Sequence, residues 1–275
     1  MQYSNPENAP RIADLFSLKG RTALIVGGSG LLGGQISYAF SELGAEIIVA
    51  SRNEAACNTF LATLKRQFPH TRAHAVGVDI TQPSSIEALI AKTTEITGGN
   101  GLDILVNSGW SGRKNTFESI SDADWNADIE VCLNGVFRTI KAATPLLKQK
   151  RGNILSIASM YGHVAPDYRM YDSERFANPP SYGAAKAGLI QLTKYLSSFL
   201  SPHGIRANCI SPGPFPFEST QNENPDFIGR LAAKNPLNRI GNPHELKGAA
   251  VLLCSDAGSY MTGQNICVDG GWAVW

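Results

Sequence analysis

Short runs of aliphatic and β-branched residues recur along the chain, each followed by a longer stretch with helical spacing. TALIV (22–26), EIIVA (46–50), AHAVGV (73–78), DILV (103–106), NILSI (153–157), RANCI (206–210) and NICV (265–268) are largely apolar, as strands buried on both faces must be. Between them, residues 31–43, 54–68, 83–97, 122–150, 181–200 and 243–254 read as helices. Strand–helix alternation of this kind predicts an α/β fold, a doubly wound parallel sheet covered on both faces. No internal repeat, linker or low-complexity tract interrupts it, so residues 18–275 are expected to form a single domain. Two stretches, 162–180 and 212–237, break the rhythm with Pro, Asn and aromatics. Irregular loops of that length usually border a site. Residues 1–17 are polar, contain Pro6 and Pro10, lack an apolar segment of signal-peptide length, and are expected to be a loose leader.

Composition narrows the partners. Basic and acidic residues nearly cancel, 24 against 23, which gives no support to a nucleic acid or an anionic membrane as partner. No apolar run approaches the roughly 20 residues of a membrane span. Five cysteines (Cys57, Cys132, Cys209, Cys254 and Cys267) are scattered without a C-x-x-C pair. That pattern fits a reducing cytoplasm and argues against a disulfide framework or a metal site.

VGGSGLLGG (26–34) lies between the first expected strand and the helix after it. Its glycines fit two spacings, Gly28-Gly30-Gly33 and Gly27-Gly30-Gly33. A glycine-rich strand-to-helix turn lets the backbone approach a pyrophosphate, whose charge meets the helix N-terminus. Ser29 adds a hydroxyl to that cradle; the alternative is a turn that only packs strand on helix. A carboxylate about 20 residues past the glycines would select NAD(H). Here Ser51 stands at that position and Arg52 follows, a pair suited to a 2′-phosphate. NADP(H) is therefore the expected cofactor, with NAD(H) possible; the alternative for Arg52 is a loop residue in solvent. Asp79, in VDIT, is a candidate for the adenine edge or for a helix cap, with Thr81 a rival cap.

Tyr182 and Lys186 are four apart in SYGAAKAG, one turn apart on one helical face. An ammonium about 4 Å from a phenol, at an effective dielectric near 20, favours the phenolate by about 4 kcal/mol, up to about three pKa units. The phenol then exchanges a proton near neutral pH. Ser159, just past the fifth strand, is placed to hold a carbonyl oxygen at the sheet's C-terminal edge.

The glycine turn, VDIT, DILVN, SIASMYG, YGAAKAG, RANCISPGP and YMTGQNICVDGGW occur together and in this order. They resemble the short-chain dehydrogenase/reductase family from about Leu18 to the end. The resemblance implies a single-domain Rossmann fold with a seven-stranded parallel sheet and an NAD(P)-dependent oxidoreductase acting on CH–OH and C=O groups. It implies that Ser159 polarises the carbonyl, Tyr182 is the general acid/base, and Lys186 tunes Tyr182 and binds the nicotinamide ribose. Cofactor contacts are implied for Gly27, Ser29, Gly30, Leu32, Ser51, Arg52, Asp79, Ile80, Asn107, Tyr182, Lys186, Pro212 and Gly213. The family usually forms dimers or tetramers through its long middle helices, where Gly183, Ala184, Ala187 and Gly188 would allow close approach.

The chain departs from the family pattern in several places. Val26 and Leu31 replace the expected Thr and middle Gly, and Gly30 sits one position early, a spacing of the family's longer members. Cys132 stands at a usual Asn position in VCLNGVF, and Asn134 lies about 200° further around a helix. That leaves a backbone carbonyl and water to carry any relay. NSGW replaces NNAG, bringing Trp110 and Arg113 to the cleft entrance. Extra residues separate Ser159 from Tyr182; they form either a substrate mouth or an oligomer contact. Trp110, Arg113, Lys114, His163, Tyr168 and Arg169 are the substrate candidates, and they suit a sugar, sugar acid or polyol. The expected function is ketone–alcohol interconversion by hydride transfer. The alternatives are a 3-oxoacyl thioester reductase and, in another class, a non-catalytic dinucleotide-binding scaffold.

Overall fold

The computed structural model describes residues 9–110, 112–173 and 176–274. Seven strands, β1 (Thr22–Val26), β2 (Glu46–Ser51), β3 (Ala73–Gly77), β4 (Ile104–Asn107), β5 (Asn153–Ile157), β6 (Arg206–Pro212) and β7 (Asn265–Val268), form one sheet. Every pairing is parallel and the order is β3-β2-β1-β4-β5-β6-β7. The order reverses between β1 and β4, which opens a crevice at the C-terminal edge where such folds bind ligands.

Side-chain alternation divides each central strand between two cores. Ala23 and Ile25 of β1 join Ile47, Val49, Phe40, Leu64 and Leu253 on one face. Leu24 and Val26 join Ile48, Leu89, Leu105, Ile140, Leu147 and Leu189 on the other. The first face is covered by α2 (Leu31–Glu42), α3 (Glu54–Gln67) and α10 (Lys247–Cys254); the second by α4 (Pro83–Ile96), α6 (Gly135–Lys150) and α7 (Pro180–Phe199). A third cluster, Met160, Tyr161, Met170, Phe227, Leu231 and Trp272, caps the crevice. Among the described residues no helix is long and apolar enough to cross a membrane.

Four expectations need correction. The leader is not loose throughout: α1 (Ile12–Leu15) forms, and Phe16 packs on the core, because burying that ring offsets the ordering of a short turn. Residues 1–8 of that leader lie outside the described residues. The 212–237 stretch is not irregular; it holds α8 (Glu218–Glu223) and α9 (Pro225–Ala233). Asn224 caps α9 by accepting from the Phe227 N–H, and Pro225 opens it. Residues 122–150 are not one uniform α-helix: α5 (Asp122–Ile129) and α6 are joined by a π turn over Glu130–Asn134. Such turns insert one extra residue and often sit at functional sites. Finally, residues 243–254 begin as a 3₁₀ turn, Pro243–Leu246, before α10.

Candidate active site

A cavity of about 810 Å³ runs along the crevice from the glycine turn to α9. Gly27 has φ +79°, and a Cβ there would lie 2.7 Å from the Ser108 carbonyl oxygen. A Cβ on Gly33 would overlap the Gly27 carbonyl. Gly30 is the N-cap of α2 and offers no side chain. Gly27, Gly30 and Gly33 all line the cavity, which selects the Gly27-Gly30-Gly33 spacing. Without a side-chain cap or an acidic first turn, the first N–H groups of α2 are left for an anionic ligand. Leu31, Leu32 and Ser29 complete this cradle, which fits a pyrophosphate.

The cavity reaches Ser51 and Arg52 at the end of β2, and Asp79 and Ile80 beyond β3. The Ser51 hydroxyl donates to the Asn53 carbonyl at 3.2 Å or meets Cys57 Sγ at 3.0 Å. Asp79 Oδ1 accepts from the Thr81 N–H at 3.0 Å and the Thr81 hydroxyl at 2.8 Å. Those bonds hold its carboxyl below the usual range, and the nearby Arg52 charge adds to this. Asp79 therefore closes its own turn and does not cap α4, whose N-cap is Gln82. Asn107 ends β4 with its side chain buried, next to Ser108 and Gly109, which line the cavity. Strand alternation carries the Asn107 amide inward, where both its polar atoms lack partners among the described residues. A buried, unpartnered amide beside the crevice fits a ligand able to donate and accept there.

Ser159, Tyr182 and Lys186 meet across the crevice. The turn Met160–Gly162 packs so tightly on α7 that a Cβ on Gly162 would be 2.9 Å from the Lys186 carbonyl carbon. Ser159 Oγ accepts from the Tyr161 N–H at 3.1 Å, which leaves its hydrogen to donate. Lys186 is 2 % exposed; its Nζ donates to the Ile157 carbonyl at 2.7 Å and lies 5.6 Å from the Tyr182 ring centroid. Burial lowers the Lys186 pKa. Burial also pushes the Tyr182 phenol up to about 12, while hydrogen bonding with Ser159 and the Trp110 indole pulls the other way. Desolvation is the largest influence on Tyr182, and the lowering expected from Lys186 is not among the causes. Cys132, fully buried in the π turn, faces the charges of Tyr182 and Lys186. Asn134 points elsewhere, donating to Glu130 Oε2 at 2.7 Å. Pro212 and Gly213 line the cavity; a Cβ on Gly213 would lie 2.6 Å from Asp269 Cα, so the VDGGW tail presses directly on this edge.

Of the expected substrate residues, Trp110 and Lys114 line the cavity. Arg113 pairs with Asp124 and Arg169 with Asp167, both off the cavity wall. His163 turns to Cys267 at 3.5 Å, and the Tyr168 hydroxyl donates to the Asn178 carbonyl at 2.9 Å, again off the wall. These side chains satisfy charges and carbonyls of their own loops. The end of the cavity beyond Tyr182 carries an aromatic cluster, Phe176, Phe215, Phe217 and Phe227 with Trp110, and polar positions at Tyr161, Tyr171, Asn178, Lys114, Thr220 and Glu223. Phe227 and Leu231 lie on α9 within the stretch expected to be loop, although its Asn-Pro start is a helix signal. Gly183 and Gly188 are used within the chain: added Cβ atoms would approach the Tyr161 carbonyl oxygen at 3.0 Å and Leu133 Cδ2 at 2.9 Å. Of the four small residues, Ala184 and Ala187 are exposed.

A family model described as enoyl-(acyl carrier protein) reductase matches residues 29–273. The chain is 31% identical over 257 residues to the 3-oxoacyl-[acyl-carrier-protein] reductase FabG of Chlamydia trachomatis, covering 93% of this chain and 98% of that protein. It is 31% identical over 258 residues to 2,5-dichloro-2,5-cyclohexadiene-1,4-diol dehydrogenase LinX of Sphingobium indicum, covering 94% and 98%. Among solved structures, a gluconate 5-dehydrogenase from Burkholderia cenocepacia in complex with NADP and tartrate superposes with a TM-score of 0.85. It is 29% identical, covering 96% of this chain and 100% of that one. Their substrates differ widely at nearly equal identity, so the choice among substrate classes falls to the cavity.

Proposed function

Because the chain belongs to the short-chain dehydrogenase/reductase family of nicotinamide-dependent oxidoreductases, we propose that it interconverts a ketone of apolar body and the secondary alcohol, using NADP(H). One observation carries this reading. The donors Ser159, Tyr182 and Trp110 converge at one point of a cavity that carries a cluster of aromatic rings beside it. When bound, the nicotinamide supplies or accepts the hydride. Ser159, Tyr182 and Lys186 are the catalytic residues. During reduction the Tyr182 hydroxyl gives its proton to the carbonyl oxygen, and the Ser159 hydroxyl donates to the negative charge developing there. During oxidation Tyr182 takes the proton back. Lys186 spends one donor on the Ile157 carbonyl and keeps two for the Tyr182 oxygen and the cofactor ribose.

The cradle of Gly27, Ser29, Gly30 and Leu32 would hold the pyrophosphate, and Ser51 and Arg52 the 2′-phosphate. Bound NADP in the gluconate 5-dehydrogenase supports that choice. Asp79, Ile80, Asn107, Pro212 and Gly213 would frame the rest of the cofactor. A sugar or sugar acid is less well supported than the sequence suggested: Arg113 and Arg169 are committed to carboxylates off the cavity wall, and of the expected Arg and Lys residues Lys114 remains on it. A 3-oxoacyl thioester is the second reading, favoured by the same aromatic cluster. The scattered cysteines, four of them buried, support a reducing, cytoplasmic setting. A panel of ring ketones, 3-oxoacyl thioesters and sugar-derived ketones, each with NADPH and NADH, tests the proposal. Reduction of ring ketones with NADPH is expected. Turnover confined to sugar-derived ketones would overturn it.

A further inference from the structure

The segment between Ser159 and Tyr182 brings Tyr161, Tyr171 and Asn178 onto the cavity wall beside Phe176 and Phe227. Asn178 Nδ2 donates to the Tyr171 hydroxyl at 3.1 Å, and that hydroxyl lies 3.1 Å from the Tyr161 hydroxyl. All three residues line the cavity. The hydrogens can be counted. The two phenols carry two O–H hydrogens between them. The Tyr171 oxygen already accepts from Asn178, and the link between the phenols uses one O–H. One O–H is therefore left to donate, whichever way the link runs. Tyr161, Tyr171 and Tyr182 line the same cavity, so this spare donor shares a chamber with the reacting oxygen.

The arrangement is held from several sides. The Tyr171 ring packs on Phe227 at 5.7 Å and on Tyr168 at 5.6 Å. Tyr161 meets the buried Trp272 edge-on at 6.4 Å. The Asn178 carbonyl accepts from Tyr168, which fixes the backbone beneath the amide. Rigid, preorganised donors are costly when unmatched and selective when matched. We infer that Tyr161, Tyr171 and Asn178 form a second polar subsite that selects ketones bearing another oxygen function, a hydroxyl or a second carbonyl, beside the reacting one. This deepens the proposed function and rests on it.

The test compares cyclohexanone with hydroxycyclohexanone and cyclohexanedione, using NADPH, in the parent and in Tyr171→Phe and Asn178→Ala. The parent is expected to prefer one or both oxygenated ketones by about tenfold in kcat/KM, the yield of one good hydrogen bond. Each substitution should bring that ratio close to one, mainly through KM. The hydroxy and dione arms separate the two sources of the second oxygen. In parallel, thermal shifts with NADP⁺ present compare hydroxycyclohexanone with cyclohexanone, without turnover. A larger shift for the oxygenated ligand that vanishes in Tyr171→Phe supports the subsite. Equal ratios and equal shifts in the parent and both variants overturn it. If the parent reduces no ketone, the proposed function falls, and the thermal shifts alone decide the subsite.

Discussion

Replacing Arg52 with Ala removes the cation at the rim where a 2′-phosphate would sit. Arg52 is exposed at the end of β2, and its charge reaches Asp79. A hydrogen bond to a charged group contributes about 1.5–3 kcal/mol. Solvent and salt reduce that at an exposed position, so the lower end applies, about 1.4 kcal/mol or tenfold. The NADPH-to-NADH ratio of kcat/KM should therefore fall about tenfold in Arg52→Ala, with the NADH constant nearly unchanged. Asp79 does not confuse the result. Its carboxyl is held low chiefly by Thr81, so it stays ionised at neutral pH without Arg52. Ser51→Asp acts in the same sense on the same contact, and more strongly. A carboxylate about 5 Å from the phosphate, at an effective dielectric near 20, costs about 3 kcal/mol and should favour NADH by more than a hundredfold. Steady-state kinetics with both cofactors at low and moderate salt provides the assay; the Arg52 effect should shrink as salt rises. An unchanged ratio in Arg52→Ala, or an NADH preference in the parent, would refute the reasoning.

Trp110→Phe removes an indole N–H that lowers the Tyr182 pKa. The phenol pKa then rises, less phenolate is present at a given pH, and the alkaline rise of alcohol oxidation should move to higher pH; an unmoved kcat/KM profile contradicts this. Phe227→Ala empties a ring packed between Tyr171 and Phe176. It should lower stability by about 3 kcal/mol in urea titrations and raise KM for ring ketones. Tyr195 and Phe199 stack at 5.7 Å on α7, 59% and 61% exposed, an apolar patch suited to a second copy of the chain. Light scattering should find a homo-oligomer in the parent and a smaller species in the Tyr195→Asp, Phe199→Asp double variant; a monomeric parent would contradict that.

Much of the fold was legible because parallel strands buried on both faces are apolar throughout, and all seven observed strands fall on such runs to within two residues at each end. The π turn at Glu130–Asn134 was not legible, since helical spacing alone does not reveal one inserted residue. Tyr182 and Lys186 were legible from their one-turn spacing, and Ser159 from its place past β5. The Tyr182 environment was not: spacing suggests the ammonium, whereas burial has the larger effect. Arg113 and Arg169 misled because a sequence shows charge without its partner, and Asp124 and Asp167 are those partners. The aromatic cluster was hidden for a related reason, since Phe215, Phe217 and Phe227 lie among prolines and asparagines that read as loop.

The central claim is that Tyr182 moves the proton while hydride moves to or from the carbonyl carbon. Tyr182→Phe keeps the ring and removes only the hydroxyl. The direct measurement is kcat/KM for reduction of a ring ketone by NADPH in the parent and in this variant, with NADPH affinity read separately by fluorescence. Losing the general acid is expected to slow reduction by about 10²–10⁴-fold while NADPH binding is retained. Reduction that survives Tyr182→Phe within a few-fold would contradict the account.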